Sequence, residues 1–322
     1  MSAGAIVDGP VGFIFPGQGS QFVGMTRELV AASAAARAVV AEADAILGFP
    51  LSTLMLEGPA DVLEDTYNAQ AAILVASVAA LAAVRERLAA AGRTIEPAMV
   101  AGHSLGEFTT LVAAGALDFA DALRLVRERG RLMKEAGQKS PGGMAAMLGI
   151  DDAALAEVCA EASDLGIIVL ANANCPGQTV ISGEVAALEK AMELAKARGA
   201  KRAARLGVSI ASHSPLMAPA NAEFQAAVAA ATIIDPRVPV VSNVTTSPLT
   251  TAADVRGELA VQMERAVQWT GTVQTMRAAG IASFVEMGPG SVLSALVKRI
   301  DREAVCRSIA DLDLDLPFDK PA

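Results

Sequence analysis

The chain is short of the residues that hold metals and disulfides: its 322 residues include two histidines and three cysteines. Cys159, Cys175 and Cys306 are widely separated and odd in number. That argues against a disulfide framework, and with so few histidines no zinc spacing can be written, so no metal site is expected. Buried, reduced thiols follow. Aromatic residues are scarce too, at 3%, which leaves the core to Ala, Val, Leu, Ile and Met. Positive charge is in deficit, and a net charge of −9 disfavours nucleic acid as the main partner. No basic residue precedes Arg27 and no long apolar region opens the chain, so no secretory signal is read and a cytoplasmic location is expected. The longest apolar run, Ala71 to Val84, is closed by Arg85. It is too short to cross a bilayer and predicts a buried helix, with no membrane partner.

What the chain has in quantity is aliphatic material. Hydrophobic residues make up 53% and charged ones 19%, which excludes disorder, and the length allows one large domain or two smaller ones. Val11 to Phe15 is a short apolar run stopped by Pro16-Gly17-Gln18-Gly19-Ser20-Gln21, a buried strand opening into a glycine-rich loop. No Gly-Lys-Ser/Thr follows and the spacing is not that of a dinucleotide fingerprint. The loop is either a tight turn or a set of N–H groups aimed at an oxygen. Helical periodicity covers Thr26 to Leu47, with Pro50 as a breaker, and then Ala69 to Ala91, before a strand over Pro97 to Ala101. Strands alternating with helices predict a mostly parallel sheet covered on both faces.

From Met144 the texture changes. Met144 to Ile150 reads as a strand, Asp151 to Ala162 as a helix, Ile167 to Ala171 and Gln178 to Ser182 as strands, Glu184 to Arg198 as a helix and Arg202 to Leu206 as a strand. This β-α-β-β-α-β order matches a ferredoxin-like unit inserted into the larger sheet. The larger sheet is expected to resume with a strand over Val208 to His213, Pro215 opening the next helix. Further strands are read at Val238 to Asn243 and Ser283 to Met287, the latter running into Gly288-Pro289-Gly290 and a helix from Ser291 to Ile300. Beyond about Ala310 the acidic, proline-containing residues read as a loose tail. The expected fold class is α/β, with residues 1–137 and 209–322 forming a large subdomain and 138–208 a small one.

The chemistry gathers around Ala101-Gly102-His103-Ser104-Leu105-Gly106-Glu107. This is a Gly-x-Ser-x-Gly pattern between an apolar strand and a helix from Glu107 to Ala114, the setting of a nucleophile elbow. Ser104 would stand at the carboxyl end of a parallel strand, where open α/β sheets bind ligands. A serine needs a base. His103 adjoins Ser104 and reads as packing or hydrogen-bonding beneath the turn, so His213 is the candidate base. No acid stands out at a strand end to complete a triad, which points to a dyad. In the helix capped by Asp118, Arg129 lies inside the apolar stripe of Val126 and Met133. An inward guanidinium needs an anion: an internal salt bridge, or a substrate carboxylate held by its fork. Lys196, Arg198, Lys201, Arg202 and Arg205 form a basic run without an acid, either a solvated face or a docking patch for an acidic partner.

Phe15 to Gln21, Gly102 to Glu107, the segment around Arg129-Gly130, Ser212-His213, Val267-Gln268-Trp269 and Gly288 to Gly290 together resemble malonyl-CoA:acyl-carrier-protein transacylases, from about Gly12 to Ile300. The resemblance implies an α/β-hydrolase-like large subdomain with a ferredoxin-like insert. It implies that Ser104 attacks the malonyl thioester with help from His213, and that the N–H groups of Gln18 and Leu105 form the oxyanion hole. Arg129 would clamp the malonyl carboxylate, with His103 also on the substrate side, and Gln262 would offer its backbone carbonyl to His213. No bound cofactor is implied. The resemblance implies malonyl-CoA as the substrate and the phosphopantetheine thiol of an acidic acyl carrier protein as the acceptor, in fatty acid biosynthesis, and a monomer is expected. The basic run is the candidate docking patch. The rival readings are a trans-acting acyltransferase for a polyketide synthase, a malonyl loader for a malonate decarboxylase, a serine hydrolase and a non-catalytic scaffold. Arg129 weighs against an esterase of neutral acyl chains, and Ser104, His213 and Arg129 together weigh against the scaffold.

Overall fold

Val11–Phe15 (β1) is apolar or glycine throughout and buried at every position, as a strand covered on both faces must be. In this computed structural model, which describes residues 9–311, β1 pairs in parallel with Met99–Gly102 (β2) on one side. The other strands are Gly142–Leu148 (β3), Ile168–Cys175 (β4), Gln178–Glu184 (β5), Arg202–Arg205 (β6), Val240–Val241 (β7), Pro248–Leu249 (β8), Ser283–Glu286 (β9) and Val305–Ser308 (β10). The larger sheet runs β10-β9-β1-β2-β7-β8, parallel except at β7 and β8. Phe15 lies beside Gly102 and Ile14 beside Glu286. The loops leaving β1, β2 and β9 therefore open on one edge of the sheet.

The apolar run becomes the helix Thr66–Ala90, whose capping residue Asp65 accepts the Tyr67 N–H. Of the described helices it is the one long and apolar enough to cross a membrane, yet most of that length is buried inside the protein. Asp118 caps Phe119–Lys139 through the Asp121 N–H, and this helix packs beside Thr66–Ala90. The small sheet runs β4-β5-β3-β6, antiparallel throughout, with Asp152–Ala162 and Val185–Ala197 packed on it around Leu155, Ile181 and Leu188. That is the ferredoxin-like order expected from the sequence.

Three expectations are corrected. Residues 208–213 are irregular rather than a strand. Pairing with β3 ends where the Leu206 N–H meets the Met144 carbonyl, and His213 sits at a positive φ of 58°, outside the extended region. The Val238 to Asn243 strand shrinks to β7, because the Asn243 N–H is taken by the Glu107 side chain instead of a neighbouring strand. The helix over Thr26 to Leu47 breaks at Ser33, whose hydroxyl caps Ala34–Leu47 at Ala36 and also meets Glu86. The acidic tail beyond Asp311 lies outside the described residues.

Candidate active site

Two glycines shape the turn after β2. A Cβ on Gly102 would sit 2.0 Å from the Gly106 carbonyl carbon, and one on Gly106 would sit 2.1 Å from the Phe15 carbonyl oxygen. Neither position has room for a side chain, and β1, β2 and the helix Gly106–Ala113 close together at that point. Between them Ser104 takes a positive φ of 52°, which thrusts its side chain out of the turn. Its N–H is held by Asn243 Oδ1 at 2.7 Å.

Ser104 Oγ lies 2.7 Å from His213 Nε2, although the two are 109 positions apart. His213 Nδ1 faces the carbonyl oxygens of Gln262 and Arg265, each at 3.0 Å. Both can only accept, so Nδ1 carries the proton and Nε2 is left to accept the serine hydroxyl. Two backbone carbonyls stand where a triad has its acid. Burial, then the charge of Arg129, then His103 push the His213 pKa down to about 3. The imidazole is neutral at ordinary pH, as a base awaiting a proton must be.

Arg129 is 2% exposed, and no carboxylate of the described residues lies within ion-pair distance of it. Its Nη1 donates to Gln70 Oε1 at 2.7 Å, and its Nη2 donates to Gln262 Oε1 at 3.0 Å and to Ser104 Oγ at 3.2 Å. A guanidinium has five N–H donors. One on Nη1 and the one on Nε remain, and Nε is buried without a partner. Burial lowers the Arg129 pKa to about 10, with Glu107 opposing the shift, so the side chain stays cationic at neutral pH. Of the two sequence readings of this arginine, the internal salt bridge is not made by any described residue.

These groups face a cavity of about 440 Å³, lined among others by Gln18, His103, Ser104, Leu105, Arg129 and His213. That volume suits a small-molecule site. The Gln18 side chain donates to Thr66 Oγ1, which anchors the loop after β1. Among the described residues, the backbone N–H groups of Gln18 and Leu105 have no acceptor. His103 bonds Asn174 Oδ1 through Nε2 at 2.8 Å and packs on Trp269. Burial lowers its pKa, and it adds no second base at Ser104. Gln262 stands behind the cavity wall, buried, and reaches Arg129 with its side chain as well as His213 with its carbonyl.

The basic run is not brought to the cavity. Arg198 pairs with Glu157 and Glu161, and Arg205 with Glu189 at 3.4 Å. Lys196, Lys201 and Arg202 are exposed and make no ion pair with a described residue. Leu206, Gly207 and Val208, next along the chain, do line the cavity. All three cysteines are free and buried.

Sequence reasoning missed Gln70, Asn243 and Glu107. Gln70 had a signal: it opens the apolar run as an amide on the inward face of a buried helix, where an amide needs a partner. Asn243 and Glu107 had none, since their partners are far away along the chain.

The family described as "Acyl transferase domain" matches residues 12–315. Malonyl CoA-acyl carrier protein transacylase of Bacillus subtilis strain 168 is 46% identical over 302 residues, covering 94% of this chain and 93% of its own. An acyl carrier protein S-malonyltransferase from Vibrio cholerae, solved by crystallography, superposes with a TM-score of 0.88 at 40% identity, over 93% of this chain and 96% of that one. A malonyl-transacylase solved in complex with its type II polyketide synthase acyl-carrier protein gives a TM-score of 0.90 at 38% identity, covering 95% of this chain and 99% of that one.

Proposed function

This chain belongs to the acyl transferase domain family, and from that premise we propose that it carries malonyl from malonyl-CoA to the phosphopantetheine thiol of an acyl carrier protein, in fatty acid biosynthesis. The observation that carries the reading is Arg129: a buried cation beside the nucleophile, bonded among the described residues only to neutral groups and keeping donors in reserve. A malonyl carboxylate supplies the missing anion, and an acyl chain without charge does not.

In the first half-reaction His213 Nε2 takes the proton of Ser104 as Oγ attacks the thioester carbonyl. The N–H groups of Gln18 and Leu105 receive the oxyanion, and coenzyme A leaves as its thiol with the proton from His213. In the second, the carrier thiol gives its proton to His213 and attacks the malonyl ester. Ser104 Oγ then leaves and recovers the proton. The carbonyls of Gln262 and Arg265 stabilise the imidazolium in both halves. His103 lies on the substrate side of the cavity. The exposed cations of the basic run, Lys201 and Arg202 foremost, receive the acidic carrier protein beside the cavity mouth. The reading includes a monomer in the cytoplasm, divided at residues 138 and 208 into a large and a small subdomain.

Intact-mass analysis after mixing with malonyl-CoA and, separately, acetyl-CoA tests it. A malonyl adduct on Ser104 that Arg129→Ala abolishes, while an acetyl adduct persists, is the expected outcome. Malonylation of the variant at the wild-type rate would refute the role of Arg129, and no adduct on wild-type Ser104 would refute the whole mechanism.

A further inference from the structure

One buried acid beneath the elbow takes no part in the transfer steps. Glu107, the last residue of the elbow motif, is fully buried and makes no contact with Ser104 Oγ or His213 among the described hydrogen bonds. Its Oε1 accepts the backbone N–H of Asn243 at 3.0 Å and the Asn243 Nδ2 group at 3.0 Å. Its Oε2 accepts Gln262 Nε2 at 2.7 Å.

An amide side chain can be turned either way, so what fixes its sense is the set of groups around it. Gln262 Nε2 lies between two acceptors, Glu107 Oε2 and, at 2.9 Å, the Ser104 carbonyl. Its nitrogen must point there, and its oxygen is thereby turned to Arg129 Nη2. Asn243 obeys the same logic. Its Nδ2 lies between Glu107 Oε1 and, at 2.7 Å, the Gly102 carbonyl, which turns its oxygen to the Ser104 N–H. One carboxyl group, together with the Ser104 and Gly102 carbonyls, thus sets the direction of two amides, one ending on the cation and the other on the nucleophile's backbone.

We infer that Glu107 is a positioning residue for substrate choice: by fixing the sense of the Gln262 amide it presents an oxygen to Arg129 and holds the guanidinium for a substrate carboxylate. The three groups on the Glu107 oxygens are all donors, so a proton carried by this carboxyl points away from them, toward Glu258. Burial and the Glu258 carboxyl raise the Glu107 pKa well above the usual range. Glu258 is in turn held by Ser242 and the Val244 N–H.

The isosteric change Glu107→Gln isolates the direction of the bond. A glutamine offers one oxygen and one NH2 group; its oxygen serves the two Asn243 donors, and its nitrogen then meets Gln262 Nε2, donor against donor. Gln262 either turns over, against the Ser104 carbonyl, or is pushed out of place with its sense kept; in both cases Arg129 Nη2 loses its aligned oxygen. The readout is the ratio of kcat/KM for malonyl-CoA to that for acetyl-CoA, followed as coenzyme A release. This ratio is independent of the fraction of protein folded, so a loss of structure alone does not move it. The ratio is expected to fall at least about tenfold, as befits losing one hydrogen bond to a charged group.

Glu107→Asp keeps the acid but withdraws it by one methylene from Gln262. It should lower the ratio in the same direction, and it serves if the glutamine variant does not fold. A ratio within about twofold of wild type in whichever variant is soluble, by the same free-energy scale, overturns the inference. The inference rests on the malonyl reading of Arg129, and the two fail differently. A wild-type enzyme indifferent between malonyl- and acetyl-CoA sinks that reading. A wild-type preference kept intact by the variants sinks only the role of Glu107.

Discussion

Arg129 and Arg131 sit two residues apart on one helix and lead opposite lives. At 3.6 residues per turn they point roughly 200° apart. Arg131, with its side chain 41% exposed, is enclosed by the carboxylates of Glu128 and Glu135, each at 2.6 Å, and those hydrogen bonds raise its pKa. Arg129 is buried and is offered only the amide oxygens of Gln70 and Gln262 and the hydroxyl of Ser104. Carboxylates surround the cation that water could have solvated, and the one nearly withdrawn from water has only neutral partners among the described residues. Neutralising a surface charge changes little. Leaving a buried one open creates a demand that an incoming anion can meet.

The sharpest way to break this contrast is to delete the buried member. Arg129→Ala should lower kcat/KM for malonyl-CoA by about a thousandfold, the scale of losing a buried charged pair, while acetyl transfer persists, as steady-state assays with the two thioesters would show. Making Arg129 resemble Arg131 is the next step. Gln70→Glu supplies an internal carboxylate at Nη1, and malonyl-CoA turnover should drop by about a hundredfold with a raised KM, since the anion now competes with a resident one.

A pH experiment reads the same cation through its neighbour. Folded His213 stays unprotonated until about pH 3, whereas an unfolded histidine takes a proton near 6.5. Between those values the unfolded chain binds more protons, so His213 makes stability fall as pH drops through the window. Burial is the first cause of the depressed value and Arg129 the second. Removing the guanidinium raises the folded pKa and narrows the window. The two chains part only as the pH nears the folded value, so urea denaturation at pH 7 and pH 3.5 should show a smaller acid-induced loss in Arg129→Ala than in wild type.

Smaller effects are expected at the surface. Charge reversal at Lys201 and Arg202 should raise KM for the carrier protein by several-fold and flatten its salt dependence, with malonyl-CoA hydrolysis unaffected. Arg131→Ala should cost no more than about 1 kcal/mol of stability in thermal or urea melts and leave thioester selectivity as it was. A large selectivity change there would erase the distinction between the two arginines.

What the sequence made legible followed short-range patterns. The alternation of strand and helix yielded both sheets, and the glycine spacing at Gly102 and Gly106 yielded the elbow. The misfit of Arg129 against its apolar stripe yielded the buried cation. What stayed hidden depended on contacts between distant residues. Nothing near His213 in the chain foretells a turn with positive φ, because the Met263, Gln262 and Arg265 carbonyls that hold its N–H and ring come from another segment. The shortness of β7 has the same origin, since Glu107 claims the Asn243 N–H across 136 positions. Gln262 was expected to contribute a carbonyl, and it does, but its side chain has a second set of partners that no local pattern encodes.

Among the described residues other than glycine, three have positive φ: Ser104, His213 and Thr246. Two of them are the residues to which the proposed transfer assigns the attacking alcohol and its base. A left-handed backbone carries a cost of roughly 1–2 kcal/mol per residue for an ordinary side chain. Glycine at either place would relax the chain and remove the reaction with it. Heat-resistance screening that ignored turnover would accordingly tend to discard both side chains.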